Sequence, residues 1–107
     1  MLWFPRERRE EPMRILVRMR VDTAKGNAAV KDGTLGKTIQ NFMEKAKPEA
    51  AYFTLDNGQR TGYFVFDMTQ SSAMPGLFEE SLMTLGADLQ LTPVMNGEEL
   101  RAGLAAV

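Results

Sequence analysis

The sequence predicts an α+β domain: one antiparallel four-stranded sheet with helices packed on one of its faces. Three observations predict it. Residues 13–21 alternate almost perfectly, with Met13, Ile15, Val17, Met19 and Val21 on one side and Arg14, Leu16, Arg18 and Arg20 on the other. A period of two is the mark of a strand with two different faces. Two more alternating stretches flank Asp56-Asn57-Gly58-Gln59, and Asn-Gly is the strongest short hairpin signal because both residues tolerate positive φ. Two longer stretches space their apolar residues at the helical period.

The elements follow in order. The first strand runs over residues 13–21, and Asp22-Thr23-Ala24-Lys25-Gly26-Asn27 after it reads as a turn cluster. Leu35, Ile39, Phe42, Met43 and Ala46 then form an apolar stripe, with Lys37, Gln40, Asn41, Glu44 and Lys45 between them. That helix starts near Asn27 or Asp32, both suitable N-caps. Gly33 and Gly36 weaken its first half, and Lys47-Pro48 ends it. Residues 50–55 form a second strand, with Ala51, Phe53 and Leu55 opposite Tyr52 and Thr54. Residues 60–68 form the third, with Gly62, Phe64, Phe66 and Met68 on one face and Thr61, Tyr63, Val65 and Asp67 on the other.

Ser71-Ser72 caps a second helix, whose first turn tolerates Pro75. Its inner stripe is Met74, Leu77, Phe78, Ser81, Leu82 and Leu85, and Gly86 stands at its C′ position. Residues 87–95 form a fourth strand, which Pro93 confines to an edge because it has no N–H to donate. Asn96-Gly97-Glu98-Glu99 reads as a capping box for a short last helix carrying Leu100 and Leu104. The order β-α-β-β-α-β, two halves joined by a hairpin, is the ferredoxin-like pattern. That pattern implies strand order 4-1-3-2, with the first and third strands central and both helices on one face. The core is then expected on the face of Met13, Ile15, Val17, Met19, Val21, Ala51, Phe53, Leu55, Phe64, Phe66 and Met68.

Composition narrows the function. The chain has 107 residues, one domain's length. Residues 1–12, with a mixed charge run between Pro5 and Pro12, read as a flexible N-terminal extension, and residues 13–107 as the single domain. No apolar run approaches the ~20 residues that span a bilayer, and the N-terminus lacks a signal peptide's apolar segment. The expectation is a cytoplasmic protein that does not engage a membrane. Residues 1–20 hold six Arg against three Glu, and the rest holds seven basic against eleven acidic residues. So acidic a body argues against a nucleic-acid partner.

The chain has neither Cys nor His. That excludes disulfides, thiolate nucleophiles, Ser-His-Asp catalysis, and zinc, iron or haem sites built on those ligands. No Asp-rich loop suggests a Ca²⁺ or Mg²⁺ site. Neither metal nor cofactor is expected. Gly36-Lys37-Thr38 is not a phosphate loop: the first glycine of that motif would fall at position 31, which is Lys31, and the stretch lies in a helical pattern. Of the eight methionines, Met43, Met68, Met74 and Met83 read as core fillers.

The face away from the helices would carry Arg14, Leu16, Arg18, Arg20, Tyr52, Thr54, Tyr63, Val65 and Asp67. Charged, aromatic and aliphatic residues mixed in this way suggest a covered face rather than a wet one. With the element order and the length, it resembles the dimeric α/β-barrel superfamily. In that group two ferredoxin-like subunits press their open sheet faces together around a cavity; antibiotic-biosynthesis monooxygenases and muconolactone-isomerase-like proteins are members. The resemblance covers residues 13–95 and rests on topology and pattern. It implies a homodimer and carries over no catalytic residue. Haem-degrading members use a histidine, which this chain lacks.

Arg18, Arg20, Tyr52, Tyr63 and Asp67 are the candidate ligand-binding residues. The arginines suit a carboxylate or phosphate, the tyrosines are hydrogen-bond donors, and Asp67 is a candidate base if buried. The plainer reading is that Arg and Asp pair across strands or across an interface. Three functions therefore stand together. The leading one is a homodimer whose sheet-face cavity binds a small polar or anionic molecule. The others are a cofactor-independent isomerase or monooxygenase-like enzyme, and a structural module with no ligand.

Overall fold

The computed structural model describes residues 12–107. The N-terminal extension therefore lies outside the described residues, apart from Pro12. Four strands, β1 (Met13–Val21), β2 (Ala50–Asp56), β3 (Gln59–Met68) and β4 (Asp88–Pro93), form one antiparallel sheet in the order β2-β3-β1-β4. This is 4-1-3-2 read from the opposite edge. The β2–β3 hairpin turns at Asn57 and Gly58, whose φ values of 55° and 77° suit a two-residue turn between twisted strands. That turn fixes the register, with Tyr52 opposite Tyr63 and Thr54 opposite Thr61.

The helical layer differs from expectation at its start. Two helices stand where one was expected: α1 (Thr23–Asp32) and α2 (Thr34–Ala46). The segment 22–27 is not a turn, because the Asp22 side chain accepts from the Lys25 N–H at 3.0 Å and caps α1. Gly33, at φ 83°, ends α1. The Asp32 carboxylate accepts from the Thr34 N–H and hydroxyl, at 2.9 and 2.7 Å, which restarts the chain as α2. Gly36-Lys37-Thr38 lies within α2. A short 3₁₀ turn, Ser71–Ala73, leads into α3 (Met74–Leu85), with Pro75 in its first turn and Gly86 as its left-handed cap. The last helix, α4 (Gly97–Ala105), opens on the expected capping box between Asn96 and Glu99 and buries none of its residues.

The core lies between the helices and one face of the sheet. Ile15, Val17, Met19 and Val21 of β1 are buried there, with Phe64, Phe66 and Met68 of β3, Phe42 of α2, and Phe78 and Leu85 of α3. Its centre is aromatic: Phe42 meets Phe64 edge-on at 4.9 Å and stacks on Phe78 at 5.7 Å, contacts worth about 0.5–1.5 kcal/mol each beyond the area they bury. Three residues expected in this core are not in it. Met13 sits at a strand end and is exposed, while Phe53 and Leu55 are 56% and 69% exposed. Both lie on edge strand β2, which β3 flanks on one side only. Met74, Leu82 and Met83 of α3 are likewise exposed, so Met74 and Met83 are not core fillers, whereas Met68 is buried and Met43 packs against the core. Among the described residues no helix is long and apolar enough to cross a membrane.

Candidate functional site

The face of the sheet away from the helices is built in rows. The ladder sets Tyr52, Tyr63, Arg18 and Gln90 side by side across all four strands. The next row holds Thr54, Thr61, Arg20 and Asp88, and the row on the other side holds Ala50, Val65, Leu16 and Thr92. Four of the five residues singled out in the sequence, Arg18, Arg20, Tyr52 and Tyr63, thus occupy adjacent rows. Asp67 does not join them. It stands opposite Arg14 at the far end of β3, four residues from Tyr63, or roughly 13 Å along the strand. In the single chain its side chain is exposed, so this chain alone does not supply the burial expected of a base there.

The two arginines have different surroundings. Arg20 Nη2 lies 2.8 Å from Asp56 Oδ2, and the Tyr63 hydroxyl donates to the same oxygen at 3.3 Å. The hydrogen bond from Arg20, with its charge, holds the Asp56 carboxyl below the usual range, and Arg18 adds to the effect. The hydrogen bond to Asp56 in turn raises the Arg20 guanidinium. Arg20 is therefore already neutralised.

Arg18 forms no ion pair among the described residues. Its Nε, like that of Arg20, is buried without an acceptor in the chain, a condition that costs about 1–3 kcal/mol for an ordinary polar group. At the centre of the face there is thus one half-buried cation with no carboxylate in contact with it among the described residues, flanked by Tyr63 and Gln90.

At the rim, Arg14 donates from Nε to Glu49 at 3.0 Å and from Nη1 to Glu99 in the first turn of α4. The hydrogen bond to Glu49 raises the Arg14 guanidinium. Asp56, Glu49 and Glu99 are not among the site residues expected from the sequence. For Asp56 a signal existed: extending the alternation of β2 by one residue puts it on the face of Tyr52 and Thr54. Glu49 and Glu99 become neighbours of Arg14 only through the tertiary fold. Among the described residues no group of three or more acidic side chains comes together as a metal centre requires. The arrangement can hold an anion, or a neutral group rich in acceptors, through Arg18 and the tyrosine hydroxyls.

No family model, no curated protein and no solved structure matches this chain.

Proposed function

We propose that two ferredoxin-like copies of this chain associate through their open sheet faces, as a dimeric α/β barrel, and that the enclosed cavity binds a small polar or anionic molecule. One observation carries the reading: Arg18 stands in the central row of the sheet, half-buried, with no carboxylate in contact with it among the described residues. Burial disfavours an unpaired charge, so a ligand that brings a carboxylate or phosphate to this point gains from both charge and hydrogen bonding. Tyr52 and Tyr63 would orient it. Arg20, held by Asp56, would act as a fixed wall rather than as the anchor. Leu16, Ala50 and Val65 supply the apolar part of the contact between copies. The alternative of an enzyme with Asp67 as base draws no support from the position of that residue, exposed and remote from Tyr63.

Native mass spectrometry of the purified protein tests the proposal, beside light scattering. The expected result is a dimer carrying extra mass, with the mass lost and the circular dichroism unchanged in Arg18→Ala. A monomer, or a bound mass that Arg18→Ala retains, would overturn it.

A further inference from the structure

The outer edge of β2 presents backbone groups with no partner among the described strands. β2 pairs with β3 on one side, and no other described strand lies beside it. The two-residue turn at Asn57 and Gly58 makes Asp56 and Gln59 a hydrogen-bonded pair. Bonded pairs alternate along an antiparallel ladder, so Thr54 and Tyr52 also direct their N–H and C=O groups to β3. Ala51, Phe53 and Leu55 direct theirs away from the sheet. The side chains of this stretch are uncovered as well: Tyr52, Phe53 and Leu55 are all exposed.

Edge strands are commonly guarded by charge or proline. Residues 50–55 contain neither. The one charged side chain of the strand, Asp56, is held by Arg20 and Tyr63. The edge is also complementary to itself. In an antiparallel copy related by a two-fold axis through Phe53, Phe53 stands opposite Phe53, Ala51 opposite Leu55 and Tyr52 opposite Thr54. Off the axis a small residue meets a larger one at each of these pairs. Asp56 of one copy faces Ala50 of the other, so no like charges meet. This axis alone pairs the three outward residues among themselves; moved along the strand, it sets some of them against Glu49 or the turn at Asn57.

We propose that β2 is a self-association edge, at which two copies of this chain join strand to strand in antiparallel register about Phe53. Ala51, Phe53 and Leu55 of one copy exchange backbone hydrogen bonds with Leu55, Phe53 and Ala51 of the other. Phe53 and Leu55, whose alternation matches the core but which no helix covers, then shield each other from water. A contact of one strand on one strand is smaller than a standard interface, which buries roughly 800 Å² per partner, so the pairing depends on concentration. It runs in the plane of the sheet and leaves the Arg18 row untouched. It therefore does not rest on the face-to-face dimer, and a chain that uses both surfaces forms a tetramer.

Amide hydrogen exchange of the full-length, ¹⁵N-labelled chain, read by NMR over a dilution series, tests the pairing. In a lone sheet the N–H groups of Tyr52 and Thr54 are protected and those of Ala51, Phe53 and Leu55 are not. In the paired state these three should be slowed about tenfold or more at the highest concentration and should lose that protection on dilution. Phe53→Lys sets like charges together on the axis, and Leu55→Pro removes one outward N–H while sparing the bonds to β3. Each should abolish the protection of Ala51 and keep that of Tyr52 and Thr54, which reports an intact sheet. Arg18→Ala should leave the pattern in place. Fast exchange of Ala51, Phe53 and Leu55 at every concentration would overturn the proposal. So would protection that survives dilution, the sign of a cover from the same chain, or protection of Ala51 retained in a folded variant.

Discussion

Arg20 and Asp56 reach each other across β3, joining the two strands that flank it with an Nη2–Oδ2 distance of 2.8 Å. Tyr63 of the strand between them donates to the same oxygen. Asp56 therefore draws on all three strands at once, beside the hairpin turn that sets their register.

This arrangement makes stability depend on pH. The hydrogen bond from Arg20 holds the folded-state carboxyl of Asp56 below its ordinary value, and the Thr34 hydroxyl does the same for Asp32. A carboxyl depressed in the folded state takes up its proton more readily in the unfolded chain. Its contribution is thus complete at neutral pH and is lost as pH falls from about 4 toward the folded value. Urea unfolding should show stability declining below about pH 4. Asp56→Asn should be less stable than the parent at pH 7 and should have a shallower acid decline. An unchanged acid decline would show that Asp56 is not a source of it.

The aromatic centre sets the size of the largest single loss. Phe64 is fully buried, with the Phe42 ring 4.9 Å and the Phe53 ring 5.6 Å from its own. Phe64→Ala should cost about 3–5 kcal/mol, a large share of what a domain of this size has in total. Chemical denaturation monitored by circular dichroism measures it. A loss below about 1 kcal/mol would mean that the core closes over the void.

Two glycines should respond in opposite ways to the same methyl group. Gly62 has no room for a Cβ, which would meet the Phe64 ring at 2.9 Å, so Gly62→Ala should destabilise by about 1–3 kcal/mol. Gly36 lies in α2 with nothing within 4 Å of the added carbon. Gly36→Ala should stabilise by about 0.5 kcal/mol through helix propensity. Paired thermal melts read the difference in sign.

The last helix is held at its N-terminal end rather than by its faces. Asn96 Oδ1 accepts from the Glu99 N–H at 2.8 Å and Glu99 Oε1 accepts from the Asn96 N–H at 2.8 Å. Glu99 also pairs with Arg14. A helix this short is marginal in water on its own. Asn96→Ala, worth about 1 kcal/mol at an N-cap, should therefore unwind α4, with NMR secondary shifts lost over residues 97–105 and the melting temperature of the sheet unchanged. Retained helical shifts would place its stability elsewhere.

The sequence made some of these relationships readable and hid others for physical reasons. The alternation of Arg14 to Val21, the Asn57-Gly58 turn and the Asn96–Glu99 box are local signals, and each element stands where its own residues put it. Asp22 is ambiguous in sequence because Asp, Gly and Asn favour turns and helix starts alike; only the hydrogen bond that Asp22 accepts from the Lys25 N–H separates the two. Alternation assigned Phe53 and Leu55 to the correct side of β2, but whether a helix covers that side depends on packing that no period encodes. Arg18 and Arg20 look equivalent in sequence. They differ because Asp56 reaches one of them across an intervening strand, a pairing that requires the strand order, the register and one more residue of β2 than the apolar pattern marks.

The two margins of the sheet also differ in what they permit. β4 is short and ends at Pro93, which offers no N–H to a newcomer, whereas β2 offers seven residues with no proline and with Phe53 and Leu55 uncovered. Backbone pairing between molecules is therefore less obstructed at β2 than at β4. Two chains that met edge to edge at β2 would form an eight-stranded sheet whose outer margins are the two β4 strands, each ending at Pro93. At each such margin the proline removes one donor that a further strand would use.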